Sequence, residues 1–173
     1  MSFRLELVTG RVLRPVVPDD APRLVAMFER CSPASRYGRF LAPLQHFPAS
    51  HLVDVVRSSP IRRSWVVDDL ETGHVLGVGS WFRNQHDSHS IGAEIGLLVE
   101  DRAQRAGLGR ALLDELTASA RHAGITSFVA HTLADARHVH RMVRRLGPST
   151  IECAGITCTL QVALVDEVGA LAG

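Results

Sequence analysis

With 173 residues and a formal net charge of +1, the chain has the length of one domain with a full core. It shows no overall pull toward nucleic acid or an anionic membrane. No apolar run approaches the ~20 residues of a membrane span, so neither a nucleic-acid nor a membrane partner is expected.

The N-terminal stretch carries Arg4 and Glu6, which break the hydrophobic region a secretory signal needs, and a cytoplasmic protein is expected. Arg11 to Val16 reads as a first strand. Asp19-Asp20-Ala21-Pro22 then offers a cap and an early proline to a helix whose stripe is Leu24, Met27, Phe28 and Cys31. Ser32 to Pro48 reads as turn-rich, and Ser50 to Arg57 as a short helix. Ser64 to Asp68 and Val75 to Phe82 are strand-like around the turn Glu71-Thr72-Gly73. A polar loop, Asn84 to Ser90, leads to a further strand, Glu94 to Val99, antiparallel to the one before it.

The second half alternates strand and helix. Leu108, Ala111, Leu112, Leu116 and Ala120 share one helical face, and Gly124 ends that helix. Phe128 to Thr132 is a strand. Asp135 is expected to cap a helix with the stripe Val139, Met142, Val143 and Leu146, stopped by Gly147-Pro148. Ile156, Cys158, Leu160, Val162 and Leu164 alternate with polar positions in a last strand. The three cysteines make no C-x-x-C pair, and buried free thiols in a reducing compartment are expected. His138 and His140 cannot share a metal, and His86 and His89 lack ligand partners, so no metal is expected. Arg137, Arg141, Arg144 and Arg145 read as a solvated helix face, with a phosphate contact by Arg137 or Arg141 as the other reading.

Gln104-Arg105-Ala106-Gly107-Leu108-Gly109 joins the strand ending at Val99 to the long helix. Such a turn presents uncapped N–H groups and the positive end of the helix dipole, an anion site suited to a diphosphate. A Walker A loop would need Lys and Ser or Thr after the last glycine, where Arg110-Ala111 stand. A dinucleotide loop needs G-x-G-x-x-G at a first strand-to-helix turn. The two glycines could also serve only close packing of helix on strand.

The Q-x-x-G-x-G spacing after this strand resembles the acyl-CoA loop of the GNAT N-acetyltransferase superfamily, and the element order from about residue 10 to 164 is similar to its fold. Ser32-x-x-Ser35-x-Tyr37-x-Arg39-Phe40 and Ala93-Glu94 resemble segments of Pat-type bacterial protein-lysine acetyltransferases. The resemblance implies an α/β fold in a single domain spanning residues 1–173. Its mixed, mostly antiparallel sheet would be flanked by helices, with a splayed strand pair that binds acetyl-CoA. It implies diphosphate contacts from Gln104, Arg105, Ala106, Gly107, Leu108, Gly109 and Arg110, and pantetheine contacts from Leu97, Leu98 and Val99. Glu94 would be the general base for a primary amine, a protein lysine above all, with His131 a second candidate. All 19 Lys/Arg positions are Arg, so the chain offers no lysine of its own for acylation.

Three positions depart from the superfamily pattern N-x-x-A-x-x-x-Y-x-x-x-G-F. Ala136 stands for Asn, Val143 for the Tyr taken as general acid, and Pro148 for Phe. A leaving thiol with a pKa near ~8.5 needs about 2 kcal/mol of help at most at neutral pH, so loss of the acid is survivable. Acetylation of a small amine, or a catalytically silent acyl-CoA-binding module, are the other readings. The acceptor, the acyl preference and the oligomeric state, a homodimer included, are left open.

Overall fold

The computed structural model describes residues 5–8, 10–84 and 91–165. The expected loop residues 85–90, with His86 and His89, lie outside them, as does Arg4. The strands are β1 (Leu5–Val8), β2 (Arg11–Pro15), β3 (Arg62–Asp69), β4 (Val75–Arg83), β5 (Gly92–Val99), β6 (Ser127–Leu133), β7 (Ser149–Ala154) and β8 (Thr157–Ala163). The helices are α1 (Ala21–Arg30), α2 (Pro33–Phe40), α3 (Ala49–Val56), α4 (Leu108–His122) and α5 (Arg137–Arg144). One sheet runs in the order β1-β2-β3-β4-β5-β6-β8-β7. Neighbours are antiparallel except β5 and β6, which the α4 crossover makes parallel.

The sheet separates two cores. On one face α4 packs against Trp81, Ile95 and Phe128 through Leu112, Leu113 and Leu116, all nearly fully buried. Two glycines of β4 make the close approach possible. A Cβ on Gly79 would stand 2.8 Å from Leu116 Cδ1, and one on Gly77 3.3 Å from Leu112 Cδ1. On the other face α1 to α3 bury Leu24, Met27, Phe28, Phe47 and Val55 against Val66, Val78 and Leu98. Alternation along β5 therefore turns Glu94, Gly96 and Leu98 toward α1–α3, and Ile95, Leu97 and Val99 toward α4.

Several expectations are corrected. Part of the turn-rich segment is helix α2: Ser32 accepts from the Ser35 N–H as N-cap, and Pro33 fits the first turn. Leu41 ends it in the left-handed region at φ 52°. Asp20 holds the cap position of α1 but does not cap it. Its carboxylate accepts from Arg14, Arg23 and the Val17 N–H instead. Asp135 is likewise no cap; Ala136 holds that place in α5 without a side-chain bond.

Strands β1 and β7 were not foreseen. β7 is an edge strand exposed along nearly its whole length, so it carries no buried alternation to read. It also overturns the expectation of three free thiols. β7 sets Cys153 opposite Cys158 on β8, and the two form a disulfide. Only Cys31 is a buried free thiol, pushed up to about 12 by burial and by the nearby Asp101 and Glu100 carboxylates. Among the described residues no helix is long and apolar enough to cross a membrane.

Candidate active site

β5 is the strand on which the site is built. It pairs with β4 along its length, from Arg83↔Ala93 to Gly77↔Val99. Its pairing with β6 covers only Gly92↔Ser127 to Ile95↔Ala130, although β6 runs on to Leu133 beside β8. From Gly96 to Val99 the two strands have parted. The backbone edge of β5 there lies open in a fork, where an extended chain can be bound as an added strand.

Beyond the fork, a single turn of 3₁₀ helix (Asp101–Ala103) precedes the glycine loop. Arg105 and Gly107 take left-handed conformations, φ 61° and 80°, and bring the chain into α4. Ala111 N–H bonds to Gly107 O, so the amides of Leu108, Gly109 and Arg110 come before the first bonds of the helix. A Cβ on Gly107 would meet nothing within 4 Å, and one on Gly109 only ordinary contacts, Met142 Sδ at 3.9 Å and Val99 Cγ2 at 4.0 Å. Close packing inside the protein therefore does not require these glycines. Gly107 is needed for its backbone angle, and Gly109 leaves its amide open to an incoming anion.

The base of the loop is fastened by side chains. Buried Glu100 accepts from Arg30 at 2.9 Å and Arg102 at 2.5 Å. Asp101 accepts from the Ser32 N–H and hydroxyl, both at 2.7 Å, and from the Ser35 hydroxyl at 2.8 Å. Burial alone would push the Asp101 carboxyl up, but these donations outweigh it and hold it below the ordinary carboxylate range. The Gln104 amide donates to Ser35 Oγ at 3.0 Å and Val99 O at 3.1 Å. Thus the Ser-x-x-Ser spacing at the start of α2 is a latch onto the loop.

On the α1–α3 side of the fork stand Glu94 and a cluster from α2 and α3. Glu94 is exposed, opposite Phe82 on β4 and Val129 on β6. The Arg39 guanidinium lies against Gly96, with Cζ 4.9 Å from the centre of the Phe40 ring and Nη2 donating to His51 Nε2 at 3.3 Å. His51 stacks on Phe47 and leans on Phe40 and Phe82. Burial, and then the Arg39 charge, push it down to about 4, so at neutral pH its ring is uncharged and can accept that bond.

The structure brings Glu94, the β5 edge and the glycine loop into one continuous run of chain. The Leu108 side chain is buried, so that residue can offer a ligand only backbone groups. Leu98 is buried too and turns its N–H and C=O to Val78 on β4, which leaves the open edge to Leu97 and Val99. Val99 O already accepts from Gln104, whose own side chain serves the loop. Arg105 and Arg110 are exposed, and Arg110 lies 3.5 Å from Asp114 on the next turn. His131 is the first residue of β6 beyond its last pairing with β5, level with Gly96, and is bonded to Thr159 at 3.2 Å. Val143 is buried, so this position of α5 supplies no acid. Arg137, Arg141 and Arg144, with His140, line an open groove of about 380 Å³ and have no ion-pair partner among the described residues. No metal-holding cluster occurs among the described residues. Sequence reasoning missed Asp101 and His51; neither lies in a recognisable spacing, because their partners come from other elements.

A sheet parted at one strand pair, with a glycine loop and helix start at the open end, defines the acyl-CoA-dependent acyltransferases that the Gln104–Gly109 spacing resembles. The sequence matches the model of the Acetyltransferase (GNAT) family over residues 23–147, and the chain belongs to that family. It is 29% identical over 160 residues to the acetyltransferase Pat of Mycolicibacterium smegmatis, covering 90% of this chain and 47% of that protein. The chain thus spans about half the length of this curated relative. The GNAT domain of S. lividans PAT superposes with a TM-score of 0.80 at 25% identity, covering 94% of this chain and 97% of that one. YncA from Salmonella typhimurium, solved with its cofactor acetyl-CoA, shares the fold with a TM-score of 0.72 at 18% identity, over 95% and 99% of the two chains. The family whose model it matches is one of acetyltransferases.

Proposed function

We propose that the protein moves the acetyl group of acetyl-CoA to a protein lysine, by direct attack of the amine on the thioester. The observation that carries this reading is the fork: β5 parts from β6 after Ile95 and leaves the Leu97 backbone and the Val99 N–H open, with Glu94 at its closed end and the glycine loop and helix start at its open end. The residues present fit acetyl-CoA. Amides from Arg105 to Arg110 face the diphosphate, aided by the charges of Arg105 and Arg110. The backbone of Leu97 and Val99 aligns the pantetheine, and Leu98 anchors that edge to β4. An N–H of that edge stabilises the oxyanion of the tetrahedral intermediate.

A lysine ammonium with a pKa of ~10.4 lies about 3.4 units above neutral pH, roughly 4.6 kcal/mol from its reactive form. Glu94 takes the proton, directly or through water, and returns it to solvent. The N–C bond forms, the nitrogen gives up its second proton to water or to the departing sulfur, the C–S bond breaks, and CoA leaves as a thiolate or thiol that needs no dedicated acid. The lysine acceptor draws its support from the Pat relatives and from the Ser32–Phe40 segment.

The test is CoA release with acetyl-CoA and a panel of lysine peptides, folded proteins and small amines. Lysine peptides or proteins turned over at least tenfold faster than any small amine are expected. A preference for a small amine would overturn the protein acceptor, and tight acetyl-CoA binding without turnover on any amine would overturn the transfer itself.

A further inference from the structure

Arg39 takes no part in the chemistry above, yet it occupies the mouth of the fork. Gly96 is the first residue of β5 beyond the last pairing with β6, and the guanidinium lies on its bare backbone. A Cβ on Gly96 would stand 2.2 Å from Arg39 Cζ, 2.3 Å from Nη2 and 2.6 Å from Nε. Part of the residue remains exposed, but its charged end is desolvated, which pushes the guanidinium down from its ordinary value; it stays a cation even so. No carboxylate among the described residues lies within ion-pairing distance of it.

The titratable groups on the elements around it are Glu94 on β5, His51 and Asp54 on α3, His131 on β6, and Tyr37 and Arg36 on its own helix, of which Asp54 is paired with Arg62. Arg36 turns away to the Phe28 ring and Gln45 O. His131 is occupied with Thr159. His51 is neutral and accepts from Arg39. Glu94 is the charge that acts on the guanidinium, and it does so across a gap longer than a salt bridge. A desolvated cation without a bonded anion is costly, and one held beside a carboxylate that must shed and take protons has an electrostatic consequence there.

We propose that Arg39 is a positioning residue for acetyl transfer: from its shelf on Gly96, beside the open edge of β5, its charge disfavours an ammonium there. The acceptor then meets the thioester as a free amine. The effect is the same in kind as a cation that activates a neighbouring lysine. It rests on transfer at the fork.

The experiment measures kcat against pH for the native protein and for Arg39→Gln, Arg39→Lys, Gly96→Ala and the Arg39→Gln/Gly96→Ala pair. The acceptor is a lysine peptide or, where no peptide is turned over, the small amine that is. Removing the charge should move the acid limb up by about one unit, a loss of about tenfold at neutral pH, with the KM for acetyl-CoA little changed. Arg39→Lys should restore the limb. Gly96→Ala, whose new Cβ displaces the guanidinium, should copy Arg39→Gln, and the pair should do no more than either alone.

In parallel, His51 should titrate above about 4 by NMR in Arg39→Gln and in Gly96→Ala, a readout that needs no turnover. An acid limb unmoved in both single variants, or effects that add in the pair, would overturn the inference. A limb that moves while Glu94→Gln keeps full activity would remove Glu94 as base and leave the action of Arg39 on the amine standing.

Discussion

At the loop end of β5 the carboxylates of Glu100 and Asp101 are fully engaged, by Arg30 and Arg102 in one case and by Ser32 and Ser35 in the other. At the fork, the Arg39 guanidinium is desolvated and bonded only to a neutral histidine, while Glu94 stands exposed beside it. The first region uses its charges to hold backbone in place, so that the anion site is made of amides. The second leaves its charges without an ion-pair partner among the described residues. On the proposed function, binding is the work of a main-chain path, whereas the chemistry depends on the Glu94 and Arg39 side chains.

That contrast can be broken most sharply at Glu94. Glu94→Gln should lower kcat by about 10²–10⁴-fold with the KM for acetyl-CoA within about threefold, since the base touches the amine and not the loop. Steady-state kinetics would show it, and a KM that rises in step with the loss would place Glu94 in binding instead.

The loop glycines come next. Gly107→Ala forces an L residue to φ 80° and should cost about 1–2 kcal/mol of stability as well as affinity. Gly109→Ala has room within the protein, so its Tm should stay within about 1 °C. Its acetyl-CoA affinity should nonetheless fall by about tenfold, measured by calorimetry, because the new methyl group stands between the amide and the diphosphate. If Gly109→Ala binds normally, the anion does not sit on these amides.

Asp101→Asn weakens the latch between α2 and the loop. Three hydrogen bonds at an exposed carboxylate make the expected cost about 1 kcal/mol, about 2–4 °C in Tm. kcat with saturating acetyl-CoA should change less than the affinity does.

The smallest effect is a pH slope. His51 is held near 4 in the folded chain but takes up a proton near its ordinary value of 6.5 when unfolded. Stability is therefore full above about pH 6.5 and declines as pH falls from there to about 4. Asp101, held low, adds a further loss below the ordinary carboxylate range. Urea denaturation at about pH 7, 5.5 and 4.5 would record the slope, and His51→Phe should flatten its upper part.

Where a segment buries one face, its hydrophobic period exposed it: α1, α4 and β8 fall within a few residues of their expected bounds. Helix α2 has no fully buried side chain and β7 is exposed, so neither carries that signal, and the disulfide was missed because it depends on β7. Ile156 shows the limit in the other direction. It continues the alternation of β8 but sits in the hairpin turn, exposed to solvent.

The sequence by itself determined the strand–glycine loop–helix run, because its spacing is local and its physics is that of a helix start. It also placed Glu94 on the strand leading into that loop, since both lie within one short stretch of chain. Only the tertiary structure decided that β5 and β6 part after Ile95, that the Ser32 and Ser35 latch closes on Asp101, and that Arg39 rests on Gly96. Each of these joins residues far apart in the chain, and such contacts follow from how the elements pack rather than from any period within one of them.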